Sequence, residues 1–177
     1  MKWKIWFGVI ILAAGLPGCI TFERATYRIT FDPERKLGAM EVAYRNLQSD
    51  AEAADEQKSD FRELVSAWRE DDYLVDRVKE EVYVKERRLE VRDGVLVGTE
   101  RSIFSNFSAV GLKQDSTGTV RWSERGMDVM RTDGTATAAR DSVWWPAGTT
   151  RFELEVKNRE FAPRSNFAKL FRERKQR

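Results

Sequence analysis

The 177 residues contain no histidine and a single cysteine, so His-dependent hydrolase triads, His-ligated zinc sites and Cys-ligated clusters cannot be assembled from this chain. Two of the 31 basic residues and none of the 29 acidic ones fall in the first 18 positions, which leaves 29 of each afterwards and removes the electrostatic case for a nucleic-acid partner. Charged residues reach 34 %, yet 10 Phe, 6 Trp and 4 Tyr supply the apolar bulk that disordered chains lack.

The chain opens with Lys2 and Lys4, runs apolar from Ile5 to Ala14, and breaks at Gly15, Leu16, Pro17 and Gly18 before Cys19. That is the three-part layout of a secretory signal peptide. As a helix, the stretch from Ile5 to Leu16 would cover roughly 18 Å of a hydrocarbon core about 30 Å thick, too little for a permanent span. Leu16-Pro17-Gly18-Cys19 resembles the lipobox of bacterial lipoproteins, with Leu three positions before the cysteine and a small Gly directly before it; Pro17 stands where Ala or Ser is commoner. The resemblance implies cleavage after Gly18, thioether attachment of a diacylglycerol to the Cys19 sulfur, and acylation of the new amino terminus. With Ile20 rather than Asp after the cysteine, it implies delivery to the outer membrane of the envelope. Cysteine usage agrees: the chain's one cysteine cannot join an internal disulfide, and a lone exposed thiol in an oxidising compartment is a liability. The expected organisation is a cleaved signal over 1–18 and a single α+β envelope domain over 19–177 that carries the lipidated Cys19. A general likeness to small uncharacterised bacterial lipoproteins adds no activity.

Folding is expected to begin close to the lipid. Between Glu23 and Phe31, Ala25, Tyr27, Ile29 and Phe31 alternate with Arg24, Thr26, Arg28 and Thr30, the period of a half-buried strand. Asp32 to Lys36 reads as a turn, and Met40, Val42 and Tyr44 then alternate with Glu41, Ala43 and Arg45, completing a hairpin. From Asp50 to about Glu70, Ala54, Phe61, Leu64, Val65 and Trp68 recur at helical spacing, with Asp50, Glu52, Asp55 and Glu56 complementing the dipole at the amino end. One long amphipathic helix packed on a sheet face is predicted here.

Asp93-Gly94 between Val82–Arg92 and Val95–Phe104 signals a type I′ hairpin. That register pairs Val91 with Leu96, Arg87 with Glu100, Glu86 with Arg101 and Val84 with Ile103, joining opposite charges and matched apolar residues. The apolar phase slips between Val84 and Leu89, so a bulge or a strongly twisted, partly exposed strand is expected. Residues 105–139 read only as β-rich, with strand candidates at Val120 and Trp122 and at Val129 and Met130, and a turn at Asp133-Gly134. Ser142 to Pro146 and Arg151 to Val156 read as strands with Gly148 in the turn between them, and Pro163 and Ser165 open a short C-terminal helix carrying Phe167, Leu170 and Phe171. The predicted class is therefore α+β with a mostly antiparallel sheet.

Chemistry is thinly signalled. Asp71 and Asp72 form a carboxylate pair after a helix, available for acid and base work but of a kind usually just solvated. No calcium-loop pattern appears, and no metal or cofactor is expected. In Trp144-Trp145-Pro146 the two indoles point to opposite faces of a strand, so that one enters the core and the other is a candidate contact for a ligand or a membrane; the alternative is a tryptophan covering the open end of a small sheet. The basic stretch from Lys157 to Arg177 could meet anionic lipid or lipopolysaccharide, or serve simply as a solvated last helix with a frayed tail. Two functions remain: a non-enzymatic module that binds an envelope protein or lipid, held on the bilayer through acylated Cys19, or a carboxylate-based envelope hydrolase acting on peptidoglycan or saccharide.

Overall fold

The computed structural model describes residues 20–69 and 71–175. The expected signal segment, Gly18 and Cys19 lie outside the described residues. The principal layer is a six-stranded sheet of β2 (Arg24–Asp32), β3 (Leu37–Arg45), β5 (Val82–Arg92), β6 (Val95–Phe104), β9 (Met127–Thr132) and β12 (Arg151–Asn158). Its order is β5-β6-β3-β2-β12-β9, with every neighbouring pair antiparallel. Strict alternation places Ala25, Tyr27 and Ile29 of β2, and Met40, Val42 and Tyr44 of β3, on one buried face.

The β5–β6 hairpin turns where expected, with Asp93 and Gly94 at φ 51° and 80°, the left-handed pair that a type I′ turn requires. Val91, Arg87 and Glu86 oppose Leu96, Glu100 and Arg101 as predicted. Val84 does not oppose Ile103: the register shifts between Val84 and Glu86, so Val84 faces Ser102 and Tyr83 faces Ile103. The bulge was legible in the apolar phase slip, and its effect on the last pair follows from the extra residue.

The helical layer corrects the sequence reading. A single helix from 50 to 70 does not form; α1 covers Ala54–Ala67, and a second helix, α2, covers Asp71–Lys79. At the front, Gln48 and Ser49 are taken as the short strand β4, and the Ser49 hydroxyl accepts the Ala51 N–H at 3.0 Å, bending the chain before any helical turn begins. At the back, Trp68 caps α1 as its N–H reaches the Leu64 carbonyl and the Arg69 N–H reaches Ser66. A third helix, α3 (Phe167–Lys175), joins α1 through an edge-on pair of Phe61 and Phe167 with centroids 5.3 Å apart. Gly98 on β6 admits this layer, because a Cβ there would lie 2.8 Å from the Trp68 ring.

The rest of the buried face is covered by a four-stranded antiparallel sheet of β7 (Leu112–Gln114), β8 (Val120–Ser123), β10 (Thr135–Ala136) and β11 (Ser142–Trp145), in the order β10-β11-β8-β7. The strands either side of Gly148, β11 and β12, thus belong to different sheets. Trp145 crosses the gap between them, meeting Phe152 edge-on with centroids 5.3 Å apart. A short helical turn at Phe107–Val110 closes the far corner, where Phe107 stacks among Phe31, Phe104 and Phe152.

Candidate functional site

The first place to look is the end at which the chain enters the fold. Ile20 and Thr21 form a strand, β1, paired with Ser49 and Gln48 of β4. Ile20 is 3 % exposed and Phe22 5 %, so the first described residues already belong to the core. Four segments converge on them. The Asn158 amide donates to the Thr21 hydroxyl at 3.0 Å, fastening the end of β12. The Ser49 hydroxyl donates to Asp60 of α1, and the Ser49 N–H donates to the Ser165 hydroxyl at 2.9 Å just ahead of α3. The Gln48 side-chain oxygen accepts the Arg164 N–H at 3.1 Å. A pocket of about 370 Å³ opens beside this end, between Ile20, Phe22, Arg125, Met127, Asn158 and Glu160.

The second place is polar and buried. Tyr27 and Tyr44 rise from the covered face of the sheet at 3 % and 7 % exposure, near Glu100 at 5 % on β6 and Arg77 at 4 % on α2. Burial pushes the Tyr27 hydroxyl far above its ordinary value, with the Glu124 charge adding to the shift and a hydrogen bond from Tyr44 opposing it. Burial likewise raises Tyr44, reinforced by Tyr27 and Glu100 and opposed by the Arg77 guanidinium. Glu124, in the β8–β9 turn, has its carboxyl raised from 4.5 to about 8 by burial. The two tyrosines and Glu124 are therefore neutral at neutral pH. Among the described residues, the Glu63 Oε2, Trp68 Nε1, Arg77 Nε and Ser102 Oγ atoms are buried without a hydrogen bond, groups of the kind that ordered water satisfies in other folds.

Of the residues singled out in the sequence, the two tryptophans separate. Trp145 is 2 % exposed, and its ring N–H donates to Asp133 at 2.7 Å while the same carboxylate accepts the Glu153 N–H at 2.8 Å. Trp145 thus clamps the two sheets and has no surface left for a ligand or membrane, because its side chain points to the covered side of β11. Trp144, one residue earlier, is 41 % exposed. The side chains of Asp71 and Asp72 lie outside the described residues. Among the described residues, no group of three or more His, Cys, Asp or Glu side chains is placed to hold a metal ion, and no helix is long and apolar enough to cross a membrane. The buried tyrosines gave a periodic apolar signal, whereas Glu124 carried none: an acid beside Arg125-Gly126 reads as an ordinary turn residue.

No family model, no curated protein and no solved structure matches this chain.

Proposed function

We propose that the chain is a lipid-anchored protein of the bacterial envelope, joined to the outer membrane through acylated Cys19, whose domain binds another envelope protein or lipid without catalysing a reaction. The observation that supports this most is the position of Ile20, buried in a paired strand one residue after the cysteine. Consecutive Cα atoms are about 3.8 Å apart, so an acyl group on Cys19 holds the fold against the bilayer with no flexible spacer. Two or more acyl chains make such an anchor durable where one is marginal.

Trp144 supports a partner on the side away from the lipid. Its neighbour Trp145 packs on Phe152, six residues along β12 from the Asn158–Thr21 hydrogen bond, or roughly 20 Å from the anchor at strand rise. The test of the anchor is Cys19→Ser in cells: membrane fractionation and incorporation of labelled palmitate should both disappear, and a variant that still fractionates with membranes overturns the reading. Crosslinking from position 144 should capture an envelope component.

A second reading, the carboxylate hydrolase, draws on Glu124, whose raised carboxyl is the protonated form a general acid needs. It predicts peptidoglycan hydrolysis by the parent protein that Glu124→Gln abolishes, and no hydrolysis by the parent would remove it.

A further inference from the structure

A groove of about 930 Å³ lies on the outside of the helical layer, between α1 and α3. Its floor is apolar: Phe61 and Val65 from α1 and the half-buried Leu170 from α3. Along its rim stand Arg62, Arg69 and Arg174, all exposed. The two acids of the rim are already engaged, Asp55 by Lys58 at 3.7 Å and Glu173 by Lys169 at 4.0 Å. The three arginines make no ion pair among the described residues, so the groove presents uncompensated positive charge around an apolar trough.

Its position matters as much as its charge. Both helices are tied to the strand that pairs with Ile20: α1 midway along its length, at Asp60, through the Ser49 hydroxyl, and α3 just ahead of its start through Ser49–Ser165 and Gln48–Arg164. The Gln57 amide of α1 also donates to the Arg164 carbonyl at 3.1 Å. The groove therefore lies beside the strand pair that Ile20 enters.

We propose that this groove seats on the anionic phospholipid surface of the membrane that holds the anchor, with the arginines on lipid phosphates and the apolar floor against the upper acyl region. A guanidinium meets phosphate through two parallel N–H···O bonds, and an apolar trough rimmed by cations offers charge to a lipid phosphate and apolar surface to the chain beneath it. The inference rests on the lipid-anchor reading for its membrane but not for its measurement, which uses protein without lipid.

The core and the strand pairing described above lie within residues 20–175, so the assay takes a chain beginning at residue 19 with Cys19→Ser. Cosedimentation is measured with vesicles of phosphatidylglycerol and phosphatidylcholine and with phosphatidylcholine alone. At about 1 kcal/mol per basic residue near an anionic surface, the triple variant Arg62→Gln/Arg69→Gln/Arg174→Gln should bind the anionic vesicles on the order of a hundredfold more weakly than the parent. Arg28→Gln/Arg88→Gln/Arg92→Gln, an equal charge loss on the open face of the sheet, should change binding less than threefold. Leu170→Asp should also lose binding while circular dichroism stays unchanged. Equal losses in the two triple variants would reduce the effect to net charge and overturn the proposal, as would equal binding to both kinds of vesicle. Absent vesicle binding, with a crosslink to an envelope protein in cells that only the groove variant loses, would assign the groove to a protein instead. Palmitate labelling of Cys19 reads the anchor separately, so the failure of one is not the failure of the other.

Discussion

Two rows of side chains cross the six-stranded sheet one residue apart, and they are built on opposite plans. On the open face, Glu153, Arg28, Glu41, Arg101 and Glu86 are successive partners across β12, β2, β3, β6 and β5, a line of strictly alternating charge. The Arg101 guanidinium reaches Glu41 at 2.6 Å and Glu86 at 3.4 Å, Arg28 reaches Glu41 at 3.5 Å, and Arg131 of β9 extends the line by pairing with Glu153 at 3.3 Å. On the covered face the corresponding row is Leu154, Tyr27, Val42, Glu100 and Arg87. Arg87 there donates to the Ala67 carbonyl at 2.8 Å, and its opposite number Glu100 is buried. Cross-strand opposition of Arg and Glu is common to both rows, but solvent screens the first and not the second. Sequence complementarity alone therefore says little about what a charge contributes; the layer above it decides.

That contrast can be broken hardest where the covered face is wholly apolar. Phe104, at 0 % exposure, stands in a cluster with Phe31 and Phe107 at centroid distances of 6.3 and 6.2 Å. Phe104→Ala should cost about 3–5 kcal/mol, since the ring's partners, Phe31 on β2 and Phe107 in the helical turn, are themselves packed in the core and collapse only partly into the void. Urea denaturation reads this as a lowered midpoint at unchanged slope. A loss under about 1 kcal/mol would mean that the corner closed by Phe107 is not packed as described.

Next in size is a pH effect carried by Glu124. Below pH 4.5 the Glu124 carboxyl is protonated in the folded and the unfolded chain alike. Between 4.5 and about 8 only the folded chain keeps the proton, because burial raises the folded value. The folded state then binds more protons, so stability falls as pH rises through that window and this contribution is gone above about 8. Glu124→Gln should remove the slope, matching the parent near pH 4 and exceeding it at pH 8. Denaturation midpoints of the two proteins that run parallel from pH 4 to 9 would show that Glu124 is solvated.

How much of this was legible depended on whether one face of an element was consistently apolar. The β2–β3 hairpin and the β5–β6 turn could be read residue by residue, because alternation fixes the face and Asp93-Gly94 fixes the register. For α2 the pattern is inverted: Arg77 is buried while Val75 and Val78 are 54 % and 47 % exposed, so no apolar stripe announces the helix. The partners of β11 and β12 were equally hidden, since a turn at Gly148 is compatible with a hairpin or with a step between sheets, and period two names a face without naming a neighbour. The pairing of Arg87 with Glu100 was visible, but its burial was not: on a strand with charges on both sides, only the packing of α1 and α2 shows which side is covered. The tryptophan pair was half legible, in that alternation requires one indole inside and one outside without saying that Trp145 is the inner one.

The smallest expected effect tests the open row itself. Glu41 accepts from Arg28 and Arg101 and is the centre of the alternating line, which makes it the residue whose loss would matter most if the row were a stabilising network. The partner side chains are 64 % and 60 % exposed, so water and salt compete for both pairs and each long side chain loses rotamer freedom in forming them. Glu41→Gln should therefore cost under about 1 kcal/mol, and that difference should vanish in 1 M salt, where the screening length is about 3 Å. A larger, salt-insensitive loss would mean that the open face is dry in the working protein. Because nothing among the described residues covers that face, such a result would place a partner directly on the charged row.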